Sequence, residues 1–369
     1  MTGAQLEIQA IAVVTAAACA LPGTFLVLRR MAMASDAIGH SILLGIVLAF
    51  FITKDLTSPF LVVAAALTGV LTVFLVETLT RSALVRQDAA MGLVFPALFA
   101  VAVLLIARYA GGVHLDVDAV LLGELAFAPF NRLSVMGWDV GPKALYMMSA
   151  ILFINAAFIG LFYKELKLST FDPALAETLG FSPARLHYGL MFFTSLTAVG
   201  AFDAVGSVLV VALMAGSAAT AYLIAEGLAG MLFAAAAAGA ISALLGYQIA
   251  HALDASIAGS IAAAVGVVFA AAFLFSPRRG VVRLLVMRSR RKIDFSRNML
   301  LLHVMHHEGH KEAEVENAAS GVYRHLKWDR VYCARVMRRA GDDGLVVIRD
   351  GALELTEAGR AIVRDAMVL

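Results

Sequence analysis

The stretch MAMASDAIGHSILLGIVLAFFI, residues 31–52, contains only two ionisable side chains, Asp36 and His40. A run of about 20 apolar residues is long enough to cross a bilayer as a helix. At a spacing of four residues, the carboxylate and the imidazole lie on one helix face. Ionisable residues are costly in lipid, so they usually face a pathway or a partner. Because both groups are ligands for divalent transition metals, the stretch predicts a metal pathway across a membrane.

The composition of the whole chain indicates a polytopic membrane protein. Of the 369 residues, 61% are hydrophobic and 15% are charged, and the mean hydropathy is +0.86, which is more apolar than a soluble domain of this length needs. The N-terminus has no positive segment before its apolar run, so it is interpreted as a spanning helix rather than a signal peptide. Cys19 and Cys333 fit neither a disulfide framework nor a zinc motif.

Nine apolar runs are long enough, or nearly so, to span a bilayer, and they predict an all-α membrane domain of eight or nine helices over residues 1–280. Lysine and arginine are concentrated in alternate loops, which places the N-terminus outside and the C-terminus in the cytoplasm. The runs are 6–28, 31–52, 58–80, 89–108, 143–163, 186–202, 204–224, 227–251 and 257–275.

The composition changes near Pro277, where the apolar part of the chain ends. Residues 281–297 are predicted to form a basic juxtamembrane linker, which suits anionic headgroups. Residues 298–369 have the composition of a small soluble domain. Its helical segments precede two β-like runs around Asp350-Gly351, which predict a hairpin. This order of elements predicts a cytoplasmic winged-helix α+β domain.

The segment Phe171–Pro183, in a predicted inner loop, carries the signals of a short helix between two spanning helices. Asp172 is suited to cap a helix that begins at Pro173, and Gly180 is suited to end it. Such a helix is well placed to dock on a partner, and an ordinary amphipathic connector has the same signals. These residues alone leave both interpretations open.

Several short motifs occur in one order along residues 10–285. They are Pro22–Met31, Ser35–His40, Asp88–Gly92, Lys164–Lys167, Phe171–Pro173, Leu179–Gly180, Val205–Gly206, Leu209–Val210, Ala212–Leu213, Ala218–Ala221 and Phe275–Gly280. Together they resemble the metal-specific ABC importer permeases, which take up zinc, manganese and iron. Ser217 stands where such permeases commonly have proline, and Asp254–Ile257 lacks another, so helix kinks are expected to differ there.

The resemblance implies a permease subunit of an ATP-binding-cassette importer in the bacterial cytoplasmic membrane. Its implied partners are a cytoplasmic ATPase dimer, an extracytoplasmic metal-binding protein, and a second permease that is either another copy or a sister chain. The sequence has no Gly-x4-Gly-Lys-Ser/Thr phosphate loop, so the chain is not expected to be an enzyme and ATP hydrolysis is expected on another polypeptide. The metal is expected as transported substrate, manganese before zinc and then iron, with no permanently bound cofactor.

Three sets of residues are expected to carry function. Asp36 and His40 are the predicted pathway residues, and Asp203 is a lesser candidate that a simple boundary position also explains. The tail histidines have the spacing of a metal-sensing cluster on one helix face, and surface histidines of a soluble helix fit equally well. These histidines are His303, His306, His307 and His310. The resemblance implies ATPase docking on Phe171, Asp172, Pro173, Leu175, Ala176, Leu179 and Gly180.

The tail itself also resembles a known family. Val331–Arg360 is similar to the winged-helix part of DtxR-type metal-dependent repressors, but the similarity does not cover their separate metal and dimerisation regions. Arginines before Gly341 suit phosphate contacts, yet a tether beside a membrane favours a regulatory or protein-docking role over DNA binding. Two alternatives stay open: an ion-coupled secondary metal transporter that needs no ATPase, and a membrane-tethered winged-helix regulator.

Overall fold

The structure is a computed structural model that describes residues 2–55, 58–109, 124–135, 138–277, 279–308 and 313–368. The chain divides into two compact units, residues 1–280 and residues 281–369. The first unit holds the long apolar helices, and the second holds one long helix, several short helices and a β-hairpin. Each unit has its own hydrophobic core, and each is described below by itself.

Within the described residues, nine helices are long and apolar enough to cross a membrane, which confirms the predicted polytopic helical fold. Shorter helices and one hairpin connect them, and the hairpin before α5 was not predicted. In chain order the unit contains α1 (Gly3–Leu28), α2 (Ala34–Thr53), α3 (Pro59–Arg81), α4 (Gln87–Tyr109), β1 (Arg132–Val135), β2 (Trp138–Pro142), α5 (Lys143–Leu161), α6 (Tyr163–Phe171), α7 (Pro173–Thr178), α8 (Pro183–Val205), α9 (Ser207–Ile224), α10 (Leu228–Leu253) and α11 (Ile257–Phe275).

The boundary between α8 and α9 lies at Gly206. Its φ angle of +85° is in the region that side chains disfavour, so a glycine permits this sharp break between two spanning helices. The sequence placed the break at about residue 203, because hydropathy does not register a change of backbone direction. The predicted run 143–163 likewise ends earlier, since α5 stops at Leu161 and α6 begins at Tyr163.

Helix α1 lies deepest in the membrane unit, and close approach of a neighbouring backbone sets its packing. A Cβ atom at Gly23 would overlap the carbonyl oxygen of Met214, which lies in a π-helical turn of α9, Ala212–Gly216. Small residues allow membrane helices to approach in this way. The Ser217 side-chain hydroxyl donates a hydrogen bond to the Leu213 carbonyl, one turn earlier in α9. A proline, which was expected at position 217, could not make this contact.

Buried polar side chains join the spanning helices to one another. The Asn155 amide of α5 donates to Thr197 Oγ1 of α8 at 2.7 Å and to the Ala18 carbonyl of α1 at 3.3 Å. The Thr72 hydroxyl of α3 donates to Ser41 Oγ of α2 at 2.6 Å. An unpaired polar group would be expensive away from water, so these bonds satisfy the groups and fix the helix register.

The second unit forms a core around one long helix. Its elements are α12 (Val281–His307), α13 (Ala313–Glu316), α14 (Val322–His325), α15 (Arg330–Asp342), β3 (Val346–Arg349), β4 (Ala352–Leu355) and α16 (Glu357–Val368). Leu300 and Val304 of α12 pack in the core with Val336 and Leu353. Residues 281–297, which were predicted as a juxtamembrane linker, are helical and form the first part of α12. Asp350 and Gly351 both have positive φ at the β3–β4 turn, which confirms the predicted hairpin.

The close contact at Gly23 yields a stability prediction. Gly23→Ala is expected to destabilise the protein by about 1–3 kcal/mol, because its methyl group must displace backbone rather than a flexible side chain. Gly160→Ala in α5 is the matched control, since a Cβ there meets nothing within 4 Å. Thermal melting of both variants in detergent checks this. Equal melting temperatures for the two variants would contradict the packing described here.

Candidate functional site

The predicted pathway pair lies in the first two turns of α2. His40 Nε2 is 3.5 Å from Asp36 Oδ1, which confirms that the two side chains share one face. Both side chains are about one-third exposed, at 33% for Asp36 and 38% for His40. The pair is nearer to the helix start than the apolar run 31–52 suggested, because α2 begins only at Ala34. A carboxylate in the first helical turn is stabilised by the helix dipole.

Aromatic rings hold this helix segment in place. The His40 ring stacks on Phe95 with centroids 5.7 Å apart and meets the edge of Phe99 at 6.1 Å, and both phenylalanines belong to α4. On α8, the Phe202 ring lies so close to Gly39 that any side chain at position 39 would overlap it. The imidazole therefore has an apolar wall, while its polar edge and the Asp36 carboxylate remain partly open.

Each member of the pair offers one donor atom to a metal ion. Among the described residues, no third histidine, cysteine or carboxylate completes a three-ligand group with Asp36 and His40. Asp203 is exposed in α8 and does not join them in such a group. One carboxylate and one imidazole leave most of the coordination sphere of a divalent ion to water or to another chain.

The segment after α6 forms the short helix that its capping signals predicted. Asp172 Oδ1 accepts the backbone N–H of Leu175 at 3.0 Å, and α7 begins at Pro173. Gly180, at φ +84°, follows the helix end. Ala176 is buried, while the other apolar side chains are exposed. The exposed apolar set consists of Phe171, Leu175, Leu179 and Phe181. Contiguous exposed apolar groups of this kind are typical of a binding surface.

A hydrogen-bonded network connects the residues just before α7 to the end of α1. The Arg29 guanidinium donates to Thr170 Oγ1 at 3.2 Å and to Ser169 Oγ at 3.3 Å, both in α6. It also lies 2.7 Å from Nδ1 of His187 in α8. Burial lowers the pKa of Arg29 to about 10, so the side chain stays protonated at neutral pH. One charged group therefore ties α1 to both α6 and α8.

The network continues from His187 to α3. Because arginine can only donate, Nδ1 of His187 must accept, and its ring proton sits on Nε2. That nitrogen lies 2.7 Å from Glu77 Oε1, and the Tyr188 hydroxyl donates to Glu77 Oε2 at 2.8 Å. Arg81 is farther from the same carboxylate, at 3.8 Å, and its side chain is 77% exposed. We call Arg29, His187, Glu77 and Tyr188 the Arg29 network.

Sequence reasoning missed the Arg29 network. Arg29 and His187 are 158 positions apart, so no local spacing relates them. The available signal was that both lie within a few residues of the end of an apolar run, where a charged group needs either water or a partner.

The tail histidines separate into those that converge and those that do not. His303 and His307 converge with Glu316, which the sequence did not suggest, and each offers one ligand atom within 4.8 Å of the others. His306 is exposed and is not one of the three. His310 lies outside the described residues.

Comparison with known proteins places the chain in a family. Residues 6–276 match the ABC 3 transport family. The chain is 44% identical to the zinc transport system membrane protein TroD of Treponema pallidum, over 97% of this chain and 98% of that protein. It is 47% identical to the manganese transport system membrane protein MntD of Bacillus subtilis, over 73% of this chain and 91% of that protein.

A solved structure is similar as well. PsaBC from Streptococcus pneumoniae, in complex with Fab, aligns with a TM-score of 0.63 at 25% sequence identity, covering 77% of this chain and 96% of that one. The family match covers most of the membrane unit, and both relatives are well above 30% identical. The chain belongs to the ABC 3 transport family.

Proposed function

We propose that this chain is the membrane-spanning permease subunit of an ATP-driven importer for divalent transition metal ions. The observation that carries the proposal is the Asp36–His40 pair, a carboxylate and an imidazole 3.5 Å apart on a spanning helix. Manganese, zinc and iron all accept these ligands, so selectivity has to come from geometry and metal availability. Relatives are named for zinc and for manganese, and the order manganese, zinc, iron stays a prediction.

The incomplete ligand set fits a pathway better than a permanent site. An ion held by two protein ligands keeps its remaining positions for water, so it can bind and leave quickly. In the proposed assembly a second permease, either another copy or a sister chain, brings a second pair to the pathway. An extracytoplasmic metal-binding protein delivers the ion to the outer face of the bacterial cytoplasmic membrane.

The exposed apolar surface of α7 is the proposed docking site for the ATPase. Phe171, Leu175 and Leu179 offer apolar contacts, while the Asp172 cap fixes the start of the helix. Ala176 is fully buried, so we propose that movement of α7 is passed to the helices around it. ATP binding and hydrolysis take place on the partner, whose dimer is proposed to engage one α7 from each permease.

The Arg29 network is the proposed route from α7 to the spanning helices. Ser169 and Thr170 lie directly before α7, and Arg29 binds their hydroxyl oxygens. From Arg29 the contacts reach α8 through His187 and α3 through Glu77. Helix α3 bonds in turn to α2 through Thr72 and Ser41, one position after His40. A displacement of α6 therefore has a path of close polar contacts to the helix of the proposed metal pair.

The two alternatives remain distinguishable from this proposal. A secondary metal transporter has no need for an exposed apolar helix such as α7 between two spanning helices. A winged-helix regulator has the tail as its functional part and predicts sequence-specific DNA binding by residues 290–369 alone. The β3–β4 hairpin and the long match to TroD, which extends through the tail, fit a tail that accompanies the permease. A cytoplasmic C-terminus is part of the proposal.

Substitution of the metal pair tests the pathway. Asp36→Asn and His40→Ala are each expected to lower uptake of the cognate metal more than about tenfold, since loss of even an outer-shell partner weakens metal sites by 10–100-fold. Uptake of manganese, zinc and iron in cells that express the whole transporter, normalised to membrane abundance, measures this.

His251→Ala is the matched control, because His251 is an exposed histidine in the last turn of α10. Its uptake should equal that of the wild type. Unchanged uptake in both Asp36→Asn and His40→Ala would make the pair structural and overturn the site.

The Arg29 network gives a second prediction. Arg29→Met removes three hydrogen-bonded contacts of a charged group and is expected to cost about 1.5–3 kcal/mol of stability. Arg81→Met, which removes an exposed ion pair to the same carboxylate, should cost no more than about 1 kcal/mol. Melting of the purified variants measures both. If Arg81→Met destabilises the protein as much as Arg29→Met, the network does not join the helices.

A further inference from the structure

Two histidines and a glutamate of the second unit converge on one point. His303 and His307 lie one turn apart on α12, and their rings are 4.7 Å apart between centroids. Glu316, the last residue of α13, faces both of them. One ligand atom from each residue lies within 4.8 Å of the other two, which is close enough for a single ion to contact all three.

Hydrogen bonds of Asn317, the residue after Glu316, fix the position of Glu316. The Asn317 amide donates to the Val304 carbonyl at 3.2 Å, directly beside His303. The Asn317 carbonyl in turn accepts the Leu353 N–H of β4 at 2.9 Å. Position 316 is therefore held between α12 and the hairpin, so the carboxylate does not depend on a flexible loop for its placement.

The histidine-bearing end of α12 is fixed from another direction. Glu308, the residue after His307, accepts two hydrogen bonds from the Arg360 guanidinium of α16, at 2.7 and 3.1 Å. A bidentate pair of this kind is geometrically specific. The backbone on both sides of the proposed site is thus anchored before any ion arrives, which lowers the ordering cost of binding.

His325 of α14 orients the carboxylate. Its Nδ1 lies 2.8 Å from Glu316 Oε2, and its ring stacks on His303 at 5.9 Å between centroids. Ligating carboxylates are commonly held by an outer polar partner, which fixes their direction and tunes their basicity. The cluster therefore contains three candidate ligands, His303, His307 and Glu316, and one residue, His325, that supports the carboxylate.

The environment favours imidazole in its metal-binding form. Partial burial lowers the pKa of His303, and the neighbouring His307 and His325 lower it further, which disfavours the protonated ring that cannot bind a metal. Histidines that only lie on the solvent-exposed face of a helix need no carboxylate beside them. Here Glu316 lies beside His303 and His307, and His325 contacts its carboxylate.

We propose that His303, His307 and Glu316 bind a divalent transition metal ion, with Zn²⁺ bound more tightly than Mn²⁺. Two imidazoles and one carboxylate are a ligand set that four-coordinate zinc uses, with water in the fourth position. Zinc stands above manganese in the affinity order for such nitrogen and oxygen sites. The ion joins α12 to α13, so its binding stabilises the fold of residues 281–369. The site is separate from the Asp36–His40 pair and does not depend on transport.

Zinc binding to the full chain, purified in detergent and stripped of metal, tests the site. The count of bound Zn²⁺ is measured by mass spectrometry after equilibrium dialysis, and the affinity by competition with a chromophoric chelator. A protein that carries both Asp36→Asn and His40→Ala is expected to retain one zinc equivalent. Adding His303→Ala or His307→Ala to that protein should weaken this binding more than about 100-fold, since a direct ligand counts for more than an outer-shell partner.

His306→Ala is the matched control, because His306 neighbours His307 on the same helix and is exposed outside the group of three. Its zinc affinity should be unchanged. Zn²⁺ should also raise the melting temperature of the control and not of His303→Ala, while the metal-free proteins melt alike, which separates lost binding from lost folding. Absence of the zinc equivalent from the Asp36/His40 variant, or equal loss in His306→Ala, would overturn the proposal.

Discussion

A charged guanidinium at the end of a buried spanning helix needs hydrogen-bond acceptors, and Arg29 finds them on two other helices. Its contacts with Thr170, Ser169 and His187 satisfy the charge away from bulk water. Removing any acceptor would leave part of that charge unpaired. The Glu77 carboxylate likewise needs polar partners, and it contacts His187 and accepts a hydrogen bond from Tyr188. Helices α1, α3, α6 and α8 are therefore held in one relative arrangement by electrostatics as well as by packing.

In the proposed importer, this arrangement lets a short helix outside the apolar spans influence the proposed metal pair, Asp36 and His40. Helix α7 is exposed on its apolar side and joined directly to the residues that Arg29 binds. The metal pair is on α2, which packs closely against α3 and meets α8 at Gly39. Close contacts leave little room for local adjustment, so a shift of α6 is expected to move several helices together. In the proposed importer, this is how ATP binding on the partner changes access to Asp36 and His40.

The nine spans could be predicted from the sequence because lipid imposes a minimum apolar length on each helix. The break at Gly206 was placed a few residues too early and the break at Phe162 was missed, since both depend on backbone direction rather than on hydropathy. The Asp36–His40 contact followed from a spacing of four residues. The Arg29 network joins residues that are distant in sequence, and the approach of Glu316 to His303 and His307 joins two different helices. Only the folded chain brings those groups together, so local sequence periodicity could not predict these contacts.

The most direct test of the proposed importer is metal uptake into proteoliposomes that contain this chain and the proposed partner ABC ATPase. The energy source is the quantity that separates the proposal from a secondary transporter. An ATP-driven permease predicts accumulation of manganese or zinc only when both ATP and the ATPase are present, and none from a proton or sodium gradient alone. Accumulation driven by an ion gradient, in vesicles that hold this chain without any ATPase, would contradict it.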